Sequence, residues 1–299
     1  MAELPGPKQR RGATAWVLLR DAAVAWSEDR APRMGAALSY YTVFSLSPLL
    51  LIVISVAGLV FGPDAARGEI FGQLRDLLGP EGARVVESML QSVNKPAQGW
   101  LGTAAGVVLS LIGATTVFAE LQSSLDQIWR ADAPRSAGIW AWLRARVLSF
   151  GLIMGIGFLL MVSLVFSAAV AALHAWWSPI FGNWAVLMQG VNVVAGYLMT
   201  TGMFAMIYKI IPSRSIAWRD VWVGAAVTAL LFTLGRTLIG LYIGTSGVSS
   251  GFGAAGSLVV LLLWVYYSAQ IFLFGAEFTW VYAHGRGSRS GEAVAARPD

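Results

Sequence analysis

The residues that could do chemistry in this chain are few, and most stand inside long apolar stretches. Ser39, Tyr40, Tyr41, Thr42, Ser45 and Ser47 crowd one such stretch just before Pro48. Ser39 and Thr42 are three apart and share a helical face, with Ser45 adjoining. Proline removes a helix hydrogen bond, so these hydroxyls have two roles open to them. They can re-satisfy a broken backbone and glue helices together, or they can line a water-filled cavity for a substrate head group. Gln189 and Asn192 offer the same choice further along the chain. Arg236 could pair with an anion in the membrane or snorkel to the outer head groups. Gln270 and Glu277 lie on a similar helical face, and either Glu120 or Glu277 could cap or pair near an interface. The chemistry on offer is hydrogen bonding and ion pairing along a path, and no residue is assigned a catalytic role.

The elements that must carry these residues are membrane helices. The composition is 57% hydrophobic and only 12% charged, with a mean hydropathy of +0.65. Soluble domains carry about 25% charge, so little of this surface faces water. A spanning helix needs about 20 apolar residues. The stretches Gly35–Phe61, Leu101–Leu121, Val147–Leu173, Trp184–Ile207, Val221–Ile243 and Ala254–Tyr282 qualify. Trp100, Trp129, Trp140, Trp176, Trp184, Trp218, Tyr242 and Trp280 stand near their ends, as an aromatic belt does. At 1.5 Å per residue Arg236 lies about 22 Å from the inner end of the fifth stretch, and Glu277 about 7 Å from that of the sixth. That separation in depth speaks against a direct pair.

Orientation follows from Lys and Arg outside the spans. One set of loops carries Lys8, Arg10, Arg11, Arg20, Arg30 and Arg33, then Arg130, Arg135, Arg144 and Arg146. It continues with Lys209, Arg214, Arg219, Arg286, Arg289 and Arg297. The opposite set holds only Arg67, Arg75, Arg84 and Lys95. The first set is cytoplasmic, which puts both termini inside. The net charge of +5 is therefore topogenic, and no nucleic-acid partner is expected, because a polyanion site would gather its cations on one folded surface. No cleavable signal peptide is expected, so the first span directs insertion.

The expected organisation is a cytoplasmic segment over residues 1–33, a six-span membrane domain over 34–283 and a disordered cytoplasmic tail over 284–299. Within the first segment, Ala15–Trp26 places Trp16, Leu19, Ala23 and Trp26 on one face, as an interfacial helix would. The outer loop over residues 62–100 holds two amphipathic runs separated by Gly79-Pro80. One run carries Ile70, Phe71, Leu74, Leu77 and Leu78, the other Val85, Val86, Met89, Leu90 and Val93. They could lie on the bilayer or form a lid over a pathway. Gly244–Gly256, rich in glycine and serine, could be a hinge, a re-entrant turn or a tight connection.

Several function classes are excluded. There is no cysteine and only two histidines, His174 and His284, so no metal site and no thiol chemistry are expected. No phosphate-cradling nucleotide motif is present, and no cofactor is implied. Metal-assisted RNA cleavage needs His and carboxylates clustered around ions, and loops such as Lys209–Asp220 are too short to build an RNA site.

The segment from Ala36 to Leu50, with Ala36-Ala37-Leu38-Ser39-Tyr40-Tyr41 leading to Ser47-Pro48-Leu49-Leu50, resembles the signature of the YihY/BrkB membrane protein family. So do Ser124-Leu125-Asp126-Gln127-Ile128-Trp129-Arg130, Ile211-Pro212, Arg219-Asp220 and Val223-Gly224-Ala225. Gly235-Arg236, Gly253 to Ser257, Leu263-Trp264-Val265-Tyr266 and Gly275-Ala276-Glu277 complete the pattern. Asp126 stands where the family usually has Asn, and Arg236 where a Lys is common, which keeps charge but changes its geometry. The apolar stretches predict an all-α membrane bundle with about six spans and amphipathic outer helices, and the resemblance implies that it lies in an inner membrane. It also implies a protein linked in relatives to serum resistance, to a ribonuclease label that these residues do not support, and to movement of envelope lipids. The expectation is a transporter or exporter of an amphipathic or lipid-linked, anionic substrate, with membrane lipids as partners. The alternative is a non-catalytic scaffold for envelope proteins. The substrate path would use Ser39, Tyr40, Thr42, Ser45, Pro48, Gln189, Asn192, Arg236, Gln270 and Glu277.

Overall fold

The computed structural model describes residues 15–62, scattered positions between 64 and 90, and residues 116–131, 184–245 and 256–290. The expected spans over 101–121 and 147–173 and most of the glycine-rich loop at 244–256 lie outside the described residues, apart from the end of the former. Every described element is helical. They are α1 (Ala15–Glu28), α2 (Ala31–Phe61), a helical segment at 116–128, α3 (Trp184–Ile210), α4 (Trp218–Thr245) and α5 (Gly256–Gly285). Among the described residues, three stretches, Val193–Ile210, Trp218–Tyr242 and Leu258–Gly285, are long and apolar enough to cross a membrane.

Local chemistry sets the helix ends. Arg30 adopts a left-handed conformation (φ 57°) between α1 and α2, and Pro32 sits in the first turn of α2, where its missing N–H costs nothing. α2 runs on as helix through Pro48 to Phe61. Gly62 ends it at φ 87°, with its N–H donating to Gly58 O at 2.9 Å, a backbone geometry that side-chain-bearing residues resist. α2 thus begins at Ala31, before the expected membrane boundary.

α1 is a helix as expected. Leu18, Ala22 and Ala25 are buried, whereas Trp16 is 73% exposed and Ala23 is exposed too. The buried stripe holds two alanines, which let backbones come together.

The chain divides into two compact units, neither continuous in sequence. The first comprises residues up to Trp26, Leu125–Thr233 and Phe274 onward; the second comprises Ser27–Ser124 and Leu234–Leu273. In the second unit Val43, Leu50 and Ile54 of α2 pack with Val86, Leu90 and Leu261, and Ile70 and Phe71 join this cluster. The apolar face of the outer-loop runs is therefore turned, at these positions, onto α2 and α5 rather than left to a lipid surface.

In the first unit α4 and α5 meet along a seam of glycines and threonines. A side chain at Gly224 would overlap Thr279, and one at Gly275 would overlap Thr228. Tyr208 of α3 shares a hydrogen bond with Thr228 (3.1 Å), and Tyr197 donates to Ala226 O at 2.8 Å. The chain beyond α5, expected to be disordered from residue 284, is held as far as Ser290. His284 belongs to α5, its Nδ1 2.9 Å from Trp280 O, and Asp220 accepts from Ser288 N (3.1 Å) and Ser288 Oγ (2.6 Å).

Candidate functional site

The residues singled out for a path fall into three groups. Ser39 and Ser45 of α2 are buried, and each hydroxyl is turned on its own helix. Ser39 Oγ donates to Ala36 O (2.8 Å) and Ser45 Oγ to Thr42 O (3.2 Å). A serine that spends its proton on the preceding turn can sit in apolar surroundings, while its oxygen keeps lone pairs for another donor. Thr42 is half-buried. Tyr40 points the other way: it is exposed, as is Phe44, and their rings stand 4.7 Å apart. Pro48 lies within the helical run, and its side chain is outside the described residues, as are those of Gln189 and Asn192 in α3.

Gln270 of α5 belongs to the same unit as α2. Its Oε1 and Nε2 are both buried, and neither has a hydrogen-bond partner among the described residues. The amide lies against Gly35 of α2, where an added Cβ would overlap Nε2 and stand 3.0 Å from Cδ. A buried polar group without a partner costs about 1–3 kcal/mol. Gly35 and Ser39 are one turn apart, so the amide meets α2 at the start of its buried hydroxyls.

Arg236 is exposed on α4, and Leu234, Leu238 and Leu241 form a separate exposed stripe of the same helix. It thus stands apart from the inward group of Ser39, Ser45 and Gln270. Glu277 belongs to the other unit, where it is fully buried. Its spacing from Trp280, Val281 and His284 puts it on one stripe of α5, and all three are buried. The Arg130 guanidinium stacks 4.6 Å from the Trp280 ring. Glu120, in the helical segment at 116–128, is half-buried.

A second polar assembly was not anticipated. Asp126, at the end of the segment 116–128, accepts from both Ser213 N and Ser213 Oγ at 2.7 Å. An ionised carboxylate takes two donors at once, so the Asp in place of Asn is satisfied by acceptance alone. Arg214 reaches the carbonyls of Trp129 and Arg130 (3.4 Å each), where a helix end leaves acceptors open. Arg130 itself is left-handed, with φ 48°. Arg289 donates to Ser215 O at 2.7 Å and lies 5.8 Å over the Trp129 ring. The motif at 124–130 and the one at 211–220, separate in sequence, are thus one assembly joined by the turn after α5. The i, i+4 spacings of Asp220, Gly224 and Thr228, and of Gly275, Thr279 and Ala283, were the available signal. Gly35 gave no signal of its own.

Residues 22–298 match the family model described as Virulence factor BrkB. Among curated proteins, a UPF0761 membrane protein of Pseudomonas aeruginosa is 28% identical over 83% of this chain and 58% of its own length. A UPF0761 membrane protein of Tolumonas auensis is 27% identical over 84% of this chain and 80% of its own. One of Ralstonia nicotianae is 29% identical over 83% and 55% respectively. The chain thus spans a little over half the length of several curated relatives it matches. No solved structure matches it.

Proposed function

The chain belongs to the Virulence factor BrkB family of membrane proteins, and from that premise we propose that it moves an amphipathic, lipid-linked envelope molecule across a bacterial inner membrane. It does so with about six spans and both termini in the cytoplasm, the arrangement that the Lys/Arg asymmetry favours. No covalent step is involved, and the work is pairing and releasing polar groups along an apolar bundle.

One observation carries this reading: α2 buries two hydroxyls among its apolar contacts and turns two aromatic rings outward. Ser39 and Ser45 are buried while Tyr40 and Phe44 are exposed. A helix at a water-facing surface puts hydroxyls outward and aromatics inward. The reverse order suits a helix with lipid on one side and a polar route on the other.

Reconstitution into liposomes with labelled envelope lipids tests it, by measuring exchange between leaflets. Exchange should exceed that of protein-free vesicles and fall when Ser39→Leu and Ser45→Leu fill the inward face. Exchange equal to empty vesicles would leave the scaffold role in its place. Reporter fusions after residue 299 and within residues 73–93 should report opposite compartments; the same compartment for both sinks the six-span topology.

A further inference from the structure

We infer that the Gln270 amide is a ligand-pairing group, held without its partner in this conformation against Gly35, and that it takes a neutral, hydroxyl-bearing glycosyl head group. The inference rests on the transport reading and narrows its substrate.

A primary amide offers two donors and an acceptor within a few ångströms. In Gln270 both ends are buried, and neither is met by a described residue. Buried polar atoms in folded proteins are nearly always paired, so an amide left open is a reserve that some other state uses. Gly35 explains how the amide is accommodated: without a side chain, α2 comes up against Nε2 directly. The contact is therefore made by shape and not by hydrogen bonds, and little besides packing holds α2 to α5 at that point. Parting the two helices there would uncover the amide together with the Ser39 oxygen, one turn along α2.

The chemistry of these groups selects the ligand. An amide and a hydroxyl match a partner that donates and accepts side by side, which sugar hydroxyls and acetamido groups do. A phosphate has only acceptors at its ionised oxygens and calls for a cation. Arg236, the arginine of this unit in α4, is exposed, whereas the hydroxyls of Ser39 and Ser45 are buried. A neutral head group fits the buried groups, and the lipid tail fits the apolar surface around them.

The test uses the full chain in phosphatidylcholine nanodiscs, with Tm as the readout. Without ligand, Gln270→Met should raise Tm by about 2–4 °C, because an apolar side chain of similar length removes an unpaired amide. Monoglucosyl diacylglycerol should raise the Tm of the native chain and leave that of Gln270→Met unchanged. Should Gln270→Met not fold, Gln270→Leu serves in its place. A lowered Tm in a folded variant would show the amide to be paired, and overturns the inference. So does a ligand shift that survives the substitution, or one produced only by phosphatidic acid. A shift with free methyl glucoside but none with the glycolipid overturns the lipid-linked source. If Tm responds as stated while leaflet exchange equals that of empty vesicles, the transport reading fails and the amide site stands.

Discussion

The same device, a glycine that lets a polar side chain close on a neighbouring helix, occurs in both units with opposite outcomes. At the α4–α5 seam the polar groups are spoken for. Thr228 Oγ1 donates to Gly224 O (2.8 Å), Thr279 Oγ1 donates to Gly275 O (2.7 Å), and Tyr208 adds a bond to Thr228. At Gly35 the incoming Gln270 amide has both atoms buried without a hydrogen bond among the described residues. Interhelical polar contacts inside membranes are worth about 0.6 kcal/mol on average and up to about 1.7, so neither contact is held by polarity alone. The seam gains from packing and from satisfied hydroxyls; the Gly35 contact gains from packing and loses on its amide. One is built to stay closed and the other to open.

The largest effect should come from filling the seam. Gly224→Leu and Gly275→Leu should each cost about 3 kcal/mol or more, or abolish folding, because the added side chain meets short, β-branched threonines that cannot swing away. Thermal unfolding in detergent and recovery of monodisperse protein measure this. The exchange Gly224→Thr with Thr279→Gly should recover much of the loss relative to Gly224→Thr alone, since each position would then hold the other's side chain. No recovery would mean that the glycine serves something besides the room it gives Thr279.

Next in size is the turn after α5. Asp220, fully buried, is the acceptor for Ser288 N and Ser288 Oγ, so Asp220→Ala should cost about 1.5–3 kcal/mol, the range for bonds to charged groups. The turn should then detach, and trypsin should cut after Arg286 and Arg289 faster than in the native chain. Unchanged cleavage would show that the Arg289–Ser215 bond and the stack on Trp129 suffice to hold it.

A smaller effect marks the other side of the comparison. Gly35→Ala meets the far end of a flexible side chain, so Gln270 can turn away, and the cost should be about 1 kcal/mol or less. Gly224→Ala should cost more than Gly35→Ala when the two are unfolded side by side. Equal costs would erase the distinction between a fixed seam and a loose contact.

How much of this was legible in the sequence depended on the range of the signal. The runs 184–207, 221–243 and 254–282 gave α3, α4 and α5 with ends shifted by a few residues, because long, overwhelmingly apolar stretches leave no other structure in lipid. The early start of α2 was missed because helix turns outside the apolar run carry no hydropathy signal. The bonds from Asp126 to Ser213 and from Asp220 to Ser288 join residues 87 and 68 positions apart, and no local pattern names such partners. Composition alone promised disorder over 284–299, yet Asp220 and Arg289 together hold the part of it up to Ser290.

The smallest effect on stability should come from Arg236, and it bears on which side of the comparison this residue belongs to. It is exposed on α4, so its removal opens no cavity and should change stability by less than about 0.5 kcal/mol. An arginine facing lipid is itself costly, by about 2.5–3.5 kcal/mol at the bilayer centre and less toward an interface. Arg236→Ala should therefore insert as well as the native chain, or slightly better, if the guanidinium only snorkels. A role with the substrate predicts a separate signature: leaflet exchange lost in Arg236→Ala at equal expression, and partly kept in Arg236→Lys, where the charge survives without the fork. The buried hydroxyls and the Gln270 amide are turned inward, and Arg236 is not, so exchange should persist in Arg236→Ala. Its loss would extend the polar route to the exposed face of α4 and bring an anionic group back into the substrate.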